Sequence, residues 1–203
     1  MAQDAEEEQE GPEQEIPINP DWANYTPFMY SKGDQLFAIA PMFVFPIVFT
    51  NSAGTIEHNL SVIGIGLSLR YARFLSQGFF IGGEVGAIGI TSKAQNWLYL
   101  VPFGVTIGYQ ITLHRTQLPL FLRRFEFPFS LMAGGVVTSY LNNEENYLGF
   151  FLKAGTAAFF RFNQDWSFGI NVDWWWVPQW TKDKAKDVYG NFFEFTVTAR
   201  YHF

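Results

Sequence analysis

Residues 97–113, WLYLVPFGVTIGYQITL, alternate between two kinds of side chain. All nine odd positions are apolar or aromatic, whereas the even positions from 98 to 114 include proline, glycine, threonine, glutamine and histidine. The run is long and uncharged enough for a membrane helix, which needs about 20 residues, but such a helix gains nothing from a period of two. A strand with one apolar face requires that period. The run therefore predicts a β-strand whose two faces meet different surroundings.

The same two-residue period recurs along the chain and predicts eight strands. Most of them exceed the roughly 9–11 residues that a tilted transmembrane strand needs. Short and longer polar links separate them, as inner turns and outer loops do in a transmembrane barrel. The pattern therefore predicts an all-β fold, an eight-stranded antiparallel up-and-down transmembrane β-barrel over residues 35–203. The predicted strands are residues 35–49, 59–73, 79–91, 97–113, 126–140, 148–162, 166–178 and 192–203.

Residues 1–34 differ in composition from the rest of the chain. Seven acidic residues and no basic residue fall within residues 1–15, and Pro12, Pro17 and Pro20 lie in or after that run. We interpret 1–34 as a disordered, acidic, proline-containing N-terminal tail and linker. The remaining 12 acidic residues are balanced by all 13 basic residues of the chain. No basic stripe is present, so nucleic acid is not an expected partner.

Composition separates a membrane barrel from a soluble one. Charged residues make up 16 % of the chain and aromatic residues 19 %, which is unusually apolar for a soluble surface. A soluble lipocalin-like barrel, the alternative, would carry many charges on its outer face. The less apolar face of the predicted strands is instead mostly small, with few charges, as a narrow lumen requires. The membrane barrel is therefore favoured, and the absence of cysteine excludes disulfides.

The last strand ends in ARYHF, with Tyr201 and the terminal Phe203 at alternate positions. In this ending and in its alternating strands the sequence resembles bacterial outer-membrane β-barrel proteins, and among small eight-stranded barrels it is most similar to the OmpW type. The resemblance implies a location in the bacterial cell outer membrane, in a Gram-negative-type envelope. It also implies that Tyr201 and Phe203 form the signal read by the barrel-assembly machinery, with outer-membrane lipids as the surrounding partners.

The inward positions of the strands predict pairs of opposite charge. A turn centred on Gln77 places Arg70 opposite Glu84, and a second inner turn brings Lys153 opposite or diagonal to Asp173. Because an unpaired charge is costly in a low-dielectric interior, we expect these four side chains to form lumenal ion pairs. A packed polar plug is the favoured interpretation of such pairs, since side chains usually fill eight-stranded interiors. A proton or ion path is the alternative.

Inward residues near the outer end of the barrel, opposite the chain termini, are apolar. An apolar funnel that opens outward would admit a small hydrophobic molecule, as an OmpW-like barrel is thought to do. Close packing of the same side chains without a cavity is the alternative. The predicted apolar lining consists of Met42, Val44, Leu60, Val62, Ile88, Leu98, Leu100, Val136, Phe151, Trp175, Val177 and Phe192.

These features predict an outer-membrane, porin-like barrel that binds or passes small hydrophobic molecules through an apolar upper lumen. The alternative is a closed barrel that serves as a membrane anchor, or as a surface adhesin or antigen through its outer loops. Small apolar ligands are the candidate transported partners. No cofactor or metal is expected, because no cluster has the spacing of a zinc or calcium site.

Catalysis is not expected. Some small outer-membrane barrels are lipid-modifying enzymes, and Glu57, His58 and Ser61 form the one place where a nucleophile, a base and an orienting group could assemble. The spacing of these three residues is not diagnostic of any reaction.

Two prolines interrupt the first predicted strand. Pro41 and Pro46 each lack the backbone N–H that a ladder hydrogen bond needs. A bulge or a local break is therefore expected in that strand.

Overall fold

Long alternating segments with few charges form a barrel of antiparallel strands. The computed structural model describes residues 30–56, 60–92, 97–113, 119, 121–140, 146–179 and 187–203. A three-residue 3-10 helix, Leu122–Arg124, lies between the fifth and sixth strands. Among all the residues described, no helix is long and apolar enough to cross a membrane. The strands are β1 (Gln35–Asn51), β2 (Gly54–Ile56), β3 (Leu60–Phe74), β4 (Phe79–Ser92), β5 (Trp97–Thr112), β6 (Phe125–Tyr140), β7 (Asn146–Arg161), β8 (Trp166–Gln179) and β9 (Val188–His202).

Eight long strands pair in chain order and close on themselves. β1 pairs with β3, each later strand pairs with the next, and β9 pairs back with β1. The short β2 folds back on the end of β1, with Ile56 opposite Phe49. Both barrel termini lie at one end, where the Gln35 N–H donates to the Phe203 carbonyl oxygen at 2.9 Å. We call this end, which also holds the four-residue turns 75–78 and 162–165, the inner end, and its opposite the outer end.

The predicted fold class, a closed eight-stranded antiparallel barrel, is confirmed. The strand limits agree within two residues, except that β9 begins at Val188 rather than at 192. The extra residues pair with the end of β8, where Gln179 lies opposite Val188. The strand β2 was not predicted, because its three residues are too few to show a period. The acidic run of the N-terminal tail lies outside the described residues.

The two faces of each strand meet different surroundings. Along β5 the odd positions are exposed and the even positions are buried or half-buried. Exposed side chains on the outer face of the barrel are large and apolar on every long strand, for example Ile39, Leu67, Val85, Val105, Leu131, Leu152, Ile170 and Val197. A continuous apolar outer face of this kind is suited to lipid.

The prediction of a bulge in the first strand is confirmed at Pro46. The register of β1 against β9 shifts by one residue between Pro46 and Val48. Pro41 is accommodated without a shift, because it stays in register with Leu67 of β3. The wall therefore stays paired on both sides of β1.

The prediction that Val62 lines the lumen is wrong. Its side chain is 82 % exposed. Leu60 pairs with Ser92 and Gly64 pairs with Ile90, so four residues of β3 span only two of β4. A bulge of this kind breaks the alternation between faces, and Val62 leaves the inward row for that reason.

Candidate functional site

The barrel interior is the candidate site, and its chemistry changes from the outer end to the inner end. An upper cluster of apolar side chains lies nearest the outer end. A network of charged side chains lies beneath it, and a hydrogen-bonded cluster fills the mouth at the inner end. Each layer draws side chains from several strands, so the closure of the barrel is what brings them together.

The upper cluster is closely packed. Each of its members is between 0 and 4 % exposed. The rings of Phe151 and Trp175 stack with their centroids 5.2 Å apart. Its members are Met42, Val44, Ile88, Ile90, Leu98, Leu100, Met132, Val136, Phe151, Trp175, Val177 and Phe192.

Ten of the twelve predicted lining residues lie in this cluster, and Leu60 is partly buried against it. Val62 lies outside, as described above. The cluster also contains Ile90, which strand parity already places among the inward apolar residues, and the structure adds Met132, which shares the inward parity of β6. This layer has the composition of an apolar lumen but the packing of a protein core.

The ion network lies directly below. Arg70 Nε is 3.1 Å from Glu84 Oε2 across the β3–β4 pair. Arg70 also contacts Glu194, at 2.8 Å, and Asp173, at 3.7 Å. Lys153 Nζ is 2.8 Å from Glu84 Oε1 and 3.4 Å from Glu194 Oε2. Two cations and three carboxylates from five strands thus form one connected network.

Lys153 lies diagonal to Asp173, because Asp173 is in register with Gly155 two residues away. Its nearest carboxylates nevertheless belong to Glu84 on β4 and Glu194 on β9, two strands that do not pair with β7. The Lys153 Nζ also lies 4.7 Å from the centre of the Trp175 ring. Lys153 therefore joins the ion network to the base of the upper cluster.

The inner mouth is filled by a cluster that contains a residue from outside the strands. Tyr30, only 3 % exposed, stacks on Phe74 with ring centroids 4.0 Å apart. Its hydroxyl donates to Glu126 Oε2 at 2.8 Å and accepts from Arg161 Nη1 at 2.9 Å. Arg161 Nη1 also contacts Glu126 Oε1 at 3.0 Å. Burial raises the pKa of the Tyr30 hydroxyl well above its usual value, and the Glu126 carboxylate raises it further.

A cavity of about 60 Å³ lies between the ion network and the inner mouth. It is large enough for a few water molecules. Polar and charged side chains make up much of its wall, including Thr106, Gln110, Asn171, Thr198 and Arg200. The packed upper cluster separates this cavity from the outer end.

Of the three groups considered for catalysis, only Ser61 lies among the described residues. Glu57 and His58 lie outside the described residues, and the Ser61 hydroxyl donates to the Ile63 carbonyl oxygen at 2.9 Å. Ser167 Oγ and His202 Nε2 lie 2.8 Å apart in the inner mouth, but Ser167 has no exposed surface. Among the described residues, no group of three or more histidine, aspartate or glutamate side chains could hold a metal ion.

Two central residues of the inner mouth were missed by the sequence reasoning. Glu126 has the same inward parity as Ser130 on β6, so the alternation could have found it. Tyr30 precedes the first strand and carries no periodic signal; its place follows only from the path of the chain across the barrel mouth. Tyr201 and Phe203, the predicted assembly signal, lie exposed at the inner end, with ring centroids 5.9 Å apart.

Comparisons with solved structures show the same fold in outer-membrane proteins. Neisserial surface protein A matches with a TM-score of 0.57 and 10 % identity, over 84 % of this chain and 97 % of its own. Ail, the attachment invasion locus protein of Yersinia pestis, matches with a TM-score of 0.50 and 13 % identity, over 85 % and 99 %. The outer membrane protein AlkL matches with a TM-score of 0.50 and 11 % identity, over 88 % and 94 %.

A comparison with curated protein sequences gave no match. One protein-family model matches residues 8–201, which is nearly the whole chain. The apolar outer face and the closed pairing of eight strands agree with the fold of the three similar structures. Because the family model covers residues 8–201, the chain belongs to that family, and its fold is the one seen in small eight-stranded outer-membrane β-barrels.

Proposed function

We propose that the protein is a closed membrane barrel that serves as a rigid anchor and presents the connections at its outer end on the cell surface. The observation that supports this is the packing of the upper cluster, whose members are almost without exposed surface. An aqueous pore would instead leave inward side chains in contact with water.

The ion network supports the same proposal from below. Arg70 and Lys153 each contact both Glu84 on β4 and Glu194 on β9, two strands that are not neighbours in the wall. Opening a passage through this layer would separate buried ion pairs, and breaking one buried pair by removing a partner costs about 3–5 kcal/mol. The interior therefore resists opening both in its apolar and in its charged layer.

Conductance across a planar bilayer tests the proposal. The refolded wild-type barrel is expected to show no stable channel, whereas Phe151→Ala/Trp175→Ala combined with Lys153→Ala and Tyr30→Ala, which removes side chains from all three layers of the lumen, is expected to conduct. The matched control is Leu148→Ala/Trp174→Ala, which truncates exposed side chains on the same two strands. Stable channel openings of the wild-type barrel would contradict the proposal.

Passage of small hydrophobic molecules, which begins with their binding in the upper lumen, is the second candidate function. It is supported by the wholly apolar composition of the upper cluster and by the Trp175 Nε1 atom, which has no hydrogen-bond partner among the described residues. An unpaired buried donor costs about 1–3 kcal/mol, and a ligand that carries an acceptor would satisfy it. On this proposal the ligand must displace packed side chains.

Uptake of a small apolar fluorophore into liposomes tests this second candidate. Leu60→Asp, at the edge of the upper cluster, is expected to abolish uptake. Val62→Asp introduces the same charge on an exposed side chain two residues away and is expected to leave uptake unchanged. No uptake by the wild-type barrel, or equal uptake by the Leu60 variant, would exclude this function.

A further inference from the structure

The connection between β5 and β6 is unusual among the inner links. It spans residues 113–124, whereas the inner turns 75–78 and 162–165 have four residues each. The sequence LHRTQLPLFLRR contains no acidic residue and three arginines. Within it the structure describes Leu113, Pro119 and residues 121–124. Residues 121–124 form the turn that leads into β6.

Phe121 packs against the outer wall of the barrel. Its ring centroid is 5.5 Å from that of Phe125 and 5.5 Å from that of Phe160. Phe160 shares the outward parity of the exposed Leu148 and Leu152 on β7. Phe121 is nonetheless 58 % exposed, and the next residue, Leu122, is also exposed. The apolar surface of this turn thus continues the lipid-facing wall at the inner end.

The turn is held firmly in this position. The Leu122 N–H donates to the Pro119 carbonyl oxygen at 2.9 Å, and the Arg124 N–H donates to that of Phe121 at 3.3 Å. The buried Arg124 side chain donates from Nη1 to the Phe162 carbonyl oxygen at 3.2 Å. Its guanidinium carbon also lies 5.9 Å from the centre of the Phe160 ring.

An exposed apolar pair followed at once by arginine has the chemistry of a membrane interface. Apolar side chains enter the acyl region, while an arginine stem lies along apolar surface and its guanidinium reaches the headgroups. Guanidinium binds phosphate through charge-assisted hydrogen bonds. Arg123 is half-buried and directly follows Leu122, so its side chain starts at the edge of the exposed apolar pair.

We propose that residues Phe121–Arg124 form an interfacial anchor that binds an anionic phospholipid at the inner end of the barrel. Phe121 and Leu122 lie among the acyl chains, Arg123 binds the headgroup phosphate, and Arg124 fixes the turn against β7. The occupant is a lipid because the turn continues a lipid-facing wall and its charge is complementary to phosphate.

The first test measures the depth of the turn in the membrane. Because the chain has no cysteine, Phe121→Cys and Leu122→Cys each accept one environment-sensitive fluorophore. In vesicles with brominated acyl chains, both labels are expected to lose emission. A label at Gln77→Cys, exposed in the β3–β4 turn of the same end, is expected to keep it. Equal emission from all three labels would overturn the proposal, and two positions guard against a variant that does not fold.

The second test measures headgroup preference. Barrels released from nanodiscs with equal phosphatidylglycerol and phosphatidylcholine are examined by native mass spectrometry for retained lipid. Arg123→Gln is expected to lower the preference for phosphatidylglycerol about fivefold, which corresponds to about 1 kcal/mol for one basic side chain at an anionic surface. The control is Arg73→Gln, an exposed arginine at the inner end of β3. An unchanged preference in the Arg123 variant, or an equal loss in both, would overturn the proposal.

Discussion

Lys153 shows how a single side chain balances the charges of the lumen. It is buried, with two carboxylates within 3.4 Å, and only Arg70 shares the task of neutralising Glu84 and Glu194 in the network. Without Lys153, three carboxylates would face one guanidinium in a space that is largely closed to water. The network is therefore more sensitive to the loss of one partner than an exposed ion pair would be.

Replacing Lys153 with methionine is expected to lower the free energy of unfolding by about 3–5 kcal/mol, because it leaves a buried charge uncompensated. Urea unfolding of the barrel in detergent micelles measures the change. The double variant Lys153→Met/Glu84→Gln is expected to recover part of the loss, since it removes one of the unpaired carboxylates. A loss below about 1 kcal/mol, typical of an exposed pair, would contradict the network as described.

The Tyr30 hydroxyl is buried between Glu126 and Arg161 at the inner mouth. Its folded-state pKa is raised by burial and by Glu126, so its contribution to stability is fully present below the unfolded value near pH 10 and is lost as the pH rises further. Tyr30→Phe is expected to cost about 1–3 kcal/mol at neutral pH, and the exposed Tyr109→Phe serves as control. The difference in phenolate absorbance between wild type and Tyr30→Phe should appear only above pH 10. Ionisation of Tyr30 at or below about pH 10 would show that it is not buried.

Between β5 and β6, a close approach of the two backbones depends on a pair of glycines. Gly104 and Gly134 lie opposite each other in the β5–β6 pair, on the inward parity of both strands. A Cβ at Gly134 would overlap the Phe103 carbonyl oxygen. The small pair therefore lets the two backbones meet in a narrow part of the lumen.

Gly134→Ala is expected to destabilise the barrel by about 1–3 kcal/mol, the usual cost of overpacking. Gly149→Ala, on the neighbouring β7, is the matched control, because its Cβ would meet nothing closer than Val136 Cγ1 at 3.5 Å. The midpoint of urea unfolding measures both variants. Equal midpoints for the two variants would show that the approach of β5 and β6 has room for a methyl group.

The strands of the barrel separate two environments, lipid on the outer face and a packed protein interior on the inner face. The exposed face is apolar on every long strand, whereas Arg70, Lys153 and Arg161 are turned inward and paired with carboxylates. This arrangement is the reverse of a soluble barrel, and it makes the cost of an outward charge depend on depth in the bilayer.

Val105 lies near the middle of β5 and Trp97 at its outer end, and both face outward. Val105→Arg is expected to cost about 2–4 kcal/mol and Trp97→Arg about 0–1 kcal/mol, because charge is tolerated at the interface and not at the midplane. Unfolding from phospholipid vesicles measures the two values. Similar costs at both positions would contradict the placement of β5 across the bilayer.

Much of the architecture was predictable because barrel strands have a strict period. Trp97, Val105 and Tyr109 could be assigned to the outer face by parity alone, and the opposition of Arg70 and Glu84 followed from counting back from one turn. Parity fails where a bulge intervenes, as at Val62. It also cannot say which charges meet across the lumen, as the pairing of Lys153 with Glu194 shows.

The amino-acid sequence by itself determined the membrane barrel, its eight strands and the division of its interior into apolar and polar halves. These features depend on local alternation, and the side-chain direction of a strand repeats every two residues. Tertiary structure alone decided that the apolar half is packed, that five charges form one network, and that Tyr30 fills the inner mouth. Each of those depends on distances across the lumen, which are set by the closure of β9 on β1 and not by any neighbouring residues in the chain.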